Sequence, residues 1–536
     1  MIITPDQINK LLKCLEGNSS PGVDGITAEH LKFGNSHILC EHLAALFSFI
    51  ITNTVVPSDF NMGIIVPILK KPCLNPNEPH NYRPITLSTT YSKLLEMCML
   101  PPDNLSDLQF GFRKKRSTSF GCALLHDIIM HFKDSGSNLF ICSLDAERCF
   151  DRIWHGGLFY KLMNIIPLPH WLFLFKWYGG LKARVKWNST LSSVFSVTRG
   201  TRQGSVLSPL FFNIFINDLL IELYHCESGI RIGKDKYNSF AYADDLTLFS
   251  SSVTGLQQLI DKSVSYACKW RFSFGIDKTK ILQIGKCNFT TIPKWCLGKS
   301  HKNINLVSEL KLLGITYCAS SGYEQHVKDR ISAARRAIYR YYSAGWSYPG
   351  LSTETKKYLW ESVGVPALTY GMDCIYLSKS NFKELESAQG SLIKQSLGLS
   401  KRSHHSALLR ALDIEPVSEI IKRDTIALAK RLCQVQSPLL NLFIHEISRY
   451  ILRGSTVKNS ILDKLISYGV SPISILFDDP CKAHSCRSRA PRLTRRYIST
   501  GDGTADSLLP LLTSPNYNNP ASRERNLVKL LTRVNE

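Results

Sequence analysis

Tyr242-Ala243-Asp244-Asp245 sets two adjacent carboxylates behind an aromatic ring, with Phe240-Ala241 before it and Leu246-Thr247-Leu248-Phe249 after it. Apolar runs on both sides of an acidic tip predict two hydrophobic strands joined by a tight turn. Two carboxylates on one tip repel unless a cation stands between them. Hard oxygen donors of this kind suit Mg²⁺, which keeps several waters and takes further ligands from phosphate oxygens. For an isolated Asp-Asp pair the plain alternative is a solvated acidic turn, so the rest of the chain must discriminate.

Upstream, Phe140-Ile141-Cys142-Ser143-Leu144 runs into Asp145, and an aromatic, Phe150, follows five residues later. This pattern predicts Asp145 at the end of a buried strand, able to face the Asp244/Asp245 tip across a sheet. Three carboxylates could then hold two Mg²⁺ ions for an in-line phosphoryl displacement. Taken alone, Asp145 could equally be the N-cap of the next helix. Between the two motifs lies Arg199-Gly200-Thr201-Arg202-Gln203-Gly204-Ser205-Val206-Leu207-Ser208-Pro209-Leu210. Its glycines permit close backbone approach, and Ser208-Pro209 read as an N-cap and first turn, with Ser205 as the other candidate start. Such a loop suits a nucleotide or template base lying on its backbone, or is an ordinary loop-to-helix joint.

The order Asp145…Phe150, Arg202-Gln203-Gly204…Ser208-Pro209-Leu210, Tyr242-Ala243-Asp244-Asp245 resembles the palm motifs of reverse transcriptases. Ser20-Pro21-Gly22-Val23-Asp24-Gly25-Ile26, Asn81-Tyr82-Arg83-Pro84-Ile85-Thr86-Leu87 and Gln109-Phe110-Gly111-Phe112-Arg113 resemble successive finger motifs of non-LTR retrotransposon enzymes. Lys278-Thr279-Lys280 and Lys311-Leu312-Leu313-Gly314-Ile315 look like the last two palm motifs. The resemblance covers residues 17–320 in order and continues more weakly to about 400 through Leu368-Thr369-Tyr370-Gly371. Group II intron enzymes usually carry Pro-Gln-Gly-Gly where this chain has Arg202-Gln203-Gly204-Ser205, and retroviral enzymes look more distant. The best match is the enzyme of a LINE-like element.

That resemblance implies an α+β right-hand polymerase. Fingers would occupy 1–125, a palm with a small antiparallel sheet and helices 126–320, a helical thumb and connector 321–440, and a basic, partly disordered C-terminal tail 441–536. It implies extension of a DNA primer with dNTPs on an RNA template by two Mg²⁺ ions held by Asp145, Asp244 and Asp245, with Asp244 the more direct ligand of the pair. Lys70 or Lys71 with Arg83 would clamp the triphosphate, Gln203 and Gly204 would border the nucleotide, and Tyr242 would sit beside it. Phe150 would exclude a 2′-hydroxyl, Lys278 (or Lys280) would protonate the departing pyrophosphate, and Lys311 to Ile315 would support the primer end. Arg148 and Cys149 stand where lysine and alanine are frequent, and neither change removes a ligand. A viral RNA-copying polymerase fits less well, given Phe150 and the alanine at 243. A decayed or domesticated product that binds RNA without synthesis is the alternative from another class; the intact carboxylates, Arg83 and Gln203 disfavour it.

Composition agrees. The chain has 536 residues with 65 Lys and Arg against 43 Asp and Glu, a net charge of +22, which suits a polyanionic partner. Met1-Ile2-Ile3-Thr4-Pro5 shows no signal peptide, and no apolar run reaches the roughly eighteen residues of a membrane span. Sixteen scattered cysteines fit reduced thiols, so the expected compartment is the nucleus or cytoplasm. An amphipathic stretch, Leu256-Leu259-Ile260-Val264-Ala267, predicts a palm helix. Val327, Ile331, Ala334, Ile338 and Tyr341, beside Lys328, Arg330, Arg335, Arg336 and Arg340, predict a helix with one apolar and one basic face. In the tail, Arg487, Arg489, Arg492, Arg495 and Arg496 cluster, and 513–520 reads as loop. Cys481, His484 and Cys486 lack the spacing of a zinc knuckle. LINE-like polyproteins usually carry an endonuclease ahead of the polymerase, and the first motif here lies close to Met1, so a truncated copy or partial gene is expected.

Overall fold

The computed structural model describes residues 3–470, apart from 102, 286–292, 299–302, 320–321, 343–345, 347–349, 436 and 454. The fold is mixed α+β. Its centre is a six-stranded sheet in the spatial order Trp295–Cys296, Asn303–Val307, Phe274–Ile284, Leu139–Ala146, Asp245–Ser250, Ser239–Tyr242. The Leu139–Ala146 strand is apolar on both faces because both are covered. Its side chains alternate between two cores: Leu139 and Ile141 enter one, Phe140, Cys142 and Leu144 the other. Helix Thr118–Asp134 covers the first face, and helices Ser208–Tyr224 and Val253–Lys269 line the second. As the spacing predicts, Leu256, Leu259, Ile260 and Ala267 are buried along Val253–Lys269.

Two sequence expectations need correction. The central sheet is not wholly antiparallel, because Phe274–Ile284 and Asn303–Val307 run parallel. Ser208 is not the N-cap of its helix. Leu207 holds that position, and the Ser208 hydroxyl instead donates to the Arg202 carbonyl (2.8 Å), tying the helix back to its own loop. At the C-terminal end of the described residues, helices Pro438–Arg453 and Ile461–Ser467 contribute to the core that also takes in Thr118–Asp134. Asp127 accepts from the Ile461 amide (2.9 Å), and His126 Nε2 donates to the Asn459 carbonyl (2.9 Å), so buried polar groups anchor this end. The arginine cluster, Cys481, His484, Cys486 and 513–520 lie outside the described residues.

A second sheet has Met62–Leu69 at its centre, antiparallel to Tyr82–Leu87 and parallel to Lys182–Trp187. It therefore draws strands from both sides of residue 125. Beyond the sheets, helix Glu324–Tyr339 buries Val327, Ala334 and Ile338 and exposes Lys328, Arg335 and Arg336, the two-faced pattern expected. It also buries His326, and Tyr341 falls past its end. Among the described residues no helix is long and apolar enough to cross a membrane.

Candidate active site

Strands Ser239–Tyr242 and Asp245–Ser250 form the hairpin that the sequence predicts, and its turn holds Ala243 at a left-handed φ of 54°. Asp245 lies directly across from Asp145 in the antiparallel register, with Thr247 opposite Ser143 and Phe249 opposite Ile141. The two aspartates thus share one pleat at the open end of the sheet, and Asp244 sits at the turn, where it meets the Cys149 thiol. Asp145 does not cap the following helix; Arg148, itself left-handed, occupies that position.

Lys278 reaches the same place by an irregularity. The Phe274–Ile284 strand pairs Gly275 with Asp145 and Lys280 with Ser143, so the residues between them bulge out of the ladder. The Thr279 hydroxyl ties off the bulge on the Gly275 carbonyl (2.6 Å). Lys278, carried on the bulge, sets its ammonium 3.1 and 3.0 Å from the two Asp145 oxygens. Lys280 stays in the ladder.

The electrostatics are those of a site short of positive charge. Burial, then Asp244 and Asp145, push the Asp245 carboxyl up to about 6. Asp244 is raised by burial and by Asp145, while the bond to Asp145 raises Lys278. Among the described residues no three His, Cys, Asp or Glu side chains are drawn close enough to ring one metal ion. Lys278 brings one ammonium to act on Asp145, Asp244 and Asp245. The donor set fits a divalent cation: oxygen-only, anionic, and repelled by its own charge. A raised carboxyl pKa has a definite sign. The folded state binds the proton more tightly, so its contribution is fully present below the ordinary value near 4 and is lost as pH rises through about 6. In EDTA, wild-type stability relative to Asp245→Asn is expected to fall by up to about 3 kcal/mol between pH 4 and 7. Denaturant melts of both proteins across that range measure it.

The turn is pinned from beneath. Phe110 N–H donates to Ala241 O (2.9 Å) and Ala241 N–H to Leu108 O (2.8 Å). Gln109, 1% exposed, accepts at Oε1 from the amides of Gly111 (2.9 Å) and Ala243 (3.0 Å). Gly111 is glycine for a steric reason: a Cβ there would fall 2.3 Å from the Ala243 nitrogen.

The Gly200–Val206 loop is held from two sides. Gly200 and Gly204 take φ of 80° and 107°, and Cβ atoms there would lie 2.7 Å from Asp151 O and 3.0 Å from Thr86 O. Thr201 N–H donates to Phe150 O (2.8 Å) and Thr86 N–H to Gln203 O (2.7 Å). Below, the buried Glu96 carboxylate accepts from Arg202 Nη2 (3.2 Å), Ser205 Oγ (2.7 Å) and Val206 N (2.7 Å). Arg202 also donates to Phe60 O (2.9 Å) and lies over the Trp177 ring, 4.8 Å from its centroid.

Residues 68–317 match the family described as reverse transcriptase (RNA-dependent DNA polymerase), and that span holds every carboxylate of the tip. Over that span the chain is similar to reverse transcriptases, and over more of its length to the polymerases of non-LTR retrotransposons. It is 26% identical over 454 residues to the probable RNA-directed DNA polymerase from transposon BS of Drosophila melanogaster, covering 80% of this chain and 48% of that protein. It is 24% identical over 417 residues to the RNA-directed DNA polymerase from mobile element jockey of Drosophila funebris, covering 74% and 44%. The chain thus spans about half the length of these curated relatives. A solved apo telomerase from Candida tropicalis is similar over 53% of this chain and 59% of that one, with TM-score 0.33 and 14% identity.

The other expected site residues spread along the second sheet and the loop. Lys70 donates to His80 O (2.8 Å), and its charge is felt by Asp151. Lys71 and Arg83 are exposed and make no contact with the carboxylates. Phe150 is half-buried, edge-on to Phe112 (centroids 6.2 Å) and tilted against Phe212 (5.1 Å). Tyr242 packs against the first core. Lys311 lies on a hairpin, Glu309–Leu312 with Ile315–Cys318, turning through Leu313 and Gly314 at positive φ. Sequence reasoning assigned no role to Glu96, Gln109 or Asp151. For Glu96 a signal existed, since a lone acid inside Leu94-Leu95-Glu96-Met97-Cys98 demands a buried partner.

Proposed function

We propose that the chain extends a DNA primer 3′-hydroxyl with deoxynucleotides copied from an RNA template. The register that sets Asp145 opposite Asp245, with Asp244 beside them and Lys278 bonded to Asp145, is the observation that carries this reading. Two Mg²⁺ ions held by Asp145, Asp244 and Asp245 would supply an activated 3′-oxygen and neutralise the triphosphate. The chain's own residues do the rest. Lys278 stands as a protonated donor at the carboxylates, available to the departing pyrophosphate. Lys70 or Lys71 and Arg83 meet the triphosphate, and Gln203 and Gly204 meet the nucleotide and its template base. The architecture is that of a right hand. Residues 1–125 are the fingers, joined by the Lys182–Trp187 strand, with the palm at 126–320 and the thumb and connector at 321–440. The exposed Lys328, Arg335 and Arg336 grip a duplex backbone.

Primer extension on an RNA template with Mg²⁺ tests the function. RNA binding without extension would leave the non-synthetic alternative standing.

Phe150 is the proposed sugar gate. Phe150→Ala is expected to reduce discrimination against ribonucleotides by a factor of about ten or more, the scale of one or two kcal/mol of steric exclusion. Deoxynucleotide incorporation should fall less. A purely structural ring would behave otherwise: both nucleotide classes would suffer together and the melting temperature would drop, since losing a buried ring costs about 3–5 kcal/mol. Parallel dNTP and rNTP incorporation with a thermal melt separates the two.

A further inference from the structure

Asp151 follows Phe150 and lies outside the Asp145/Asp245 pleat, yet it is a half-buried carboxylate facing the loop that carries Gln203. Gln203 Nε2 donates to Asp151 Oδ1 at 2.8 Å. The surrounding backbone leaves this contact little freedom. Gly200 lies against the Asp151 carbonyl, Gly200 N–H donates to Ile153 O (2.9 Å), and Gln203 O is taken by Thr86 N–H (2.7 Å). Glu96 locks the flanking residues through Arg202, Ser205 and Val206. Main chain is therefore clamped on both sides of Gln203, and its amide retains only the freedom of its own torsions.

A carboxylate accepts and cannot donate, so it selects one of the two amide orientations. The Gln203 NH₂ faces Asp151, and the carbonyl oxygen faces away from it. Lys70 and Arg148 act on the Asp151 charge and favour its ionised form, against the burial that raises its pKa. We propose that Asp151 is a positioning residue: it holds the Gln203 amide in one orientation and thereby sets how tightly the incoming nucleotide is bound. This rests on the polymerase reading above. It adds a determinant of nucleotide affinity that touches neither metal nor reacting atoms.

The test is single-nucleotide incorporation by the full chain on an RNA template, with a thermal melt of every variant. The proteins are wild type, Asp151→Ala, Asp151→Asn, Gln203→Ala and the double variant Asp151→Ala/Gln203→Ala. Asp151→Ala should raise the KM for dNTP about tenfold, the scale of one hydrogen bond to a charged acceptor, with kcat changed less than about threefold. Asp151→Asn should recover most of this, because its carbonyl still accepts from Nε2. The double variant should be no worse than Gln203→Ala alone, since the two residues act through one bond. An unmoved KM in Asp151→Ala overturns the proposal, as do additive effects in the double variant. Asp151→Asn as weak as Asp151→Ala overturns it in favour of a charge effect on Lys70 and Arg148. A lowered melting temperature with KM and kcat impaired together assigns Asp151 to structure instead. Failure of wild type to extend any primer removes the functional reading and this inference with it; extension by wild type with an indifferent Asp151→Ala removes only the inference.

Discussion

Asp244→Asn is expected to leave the chain folded and bound to its template while nucleotide addition falls by roughly a thousandfold or more, several kcal/mol of lost charge stabilisation. The substitution is nearly isosteric, and Asp244 lies at a turn whose shape is set elsewhere, by Gln109 and the Leu108–Ala241 bridge. Removing one of three crowded anions also relieves Asp245, so the variant should melt no lower than wild type in EDTA. On the proposed reading template affinity would reside in exposed cations such as Lys328, Arg335 and Arg336 and should be unchanged. Equal losses of RNA binding and synthesis would instead mark the aspartate as structural. The measurements are primer extension, filter binding at fixed salt, and a melt.

Gly111→Ala is expected to do comparable damage without touching a charge. A methyl at 111 would occupy space 2.3 Å from the Ala243 nitrogen, 3.0 Å from the Tyr242 carbonyl carbon and 3.1 Å from the Ala243 Cα. All three are backbone, so no side chain can swing away. Either the Asp244 turn moves or the 109–113 segment does, and the Gln109 bonds to both amides stretch with it. Displacing the carboxylates by about 1 Å is enough for a hundredfold loss of rate. Overpacking of this kind costs about 1–3 kcal/mol of stability, so the melt should fall modestly while activity falls steeply. Full activity in this variant would show that the turn tolerates displacement and that its position does not limit the chemistry.

The carboxylate tip was legible in the sequence because its determinants are local. Apolar runs bounded by Tyr242 and Asp245, and by Asp145, specify strands by their own periodicity, and a buried strand pair can bring strand ends together. What holds the tip was not legible. Gln109 meets Ala243 from 134 residues away, and Glu96 meets Arg202 from 106 residues away. Neither partner announces the other, because such pairs are chosen by packing and not by spacing. The cap of that helix is decided in the same way: a serine before proline has the right chemistry for an N-cap, but Ser208 is the first helical residue and its hydroxyl donates to Arg202 O. Helix Pro438–Arg453 is less conspicuous in a basic C-terminal region, although Leu439, Leu442, Phe443 and Ile447 form its buried face.

The sequence by itself determined the local elements and the carboxylates at their ends. It held two strands meeting at Asp244/Asp245, a third strand ending on Asp145, a glycine-bearing loop into a helix, a net positive charge, and motifs in the order of a reverse transcriptase. Those are properties of composition, period and order, each readable within a window of a dozen residues or along the chain. Tertiary structure alone decided the register that puts Asp145 level with Asp245, the bulge that lifts Lys278 onto Asp145, and the second sheet's recruitment of Lys182–Trp187. It also decided that Asp151 meets Gln203. The physical reason is shared. These features depend on which buried surfaces close against one another, and a side chain's partner across a core is fixed only when the whole of that core is packed.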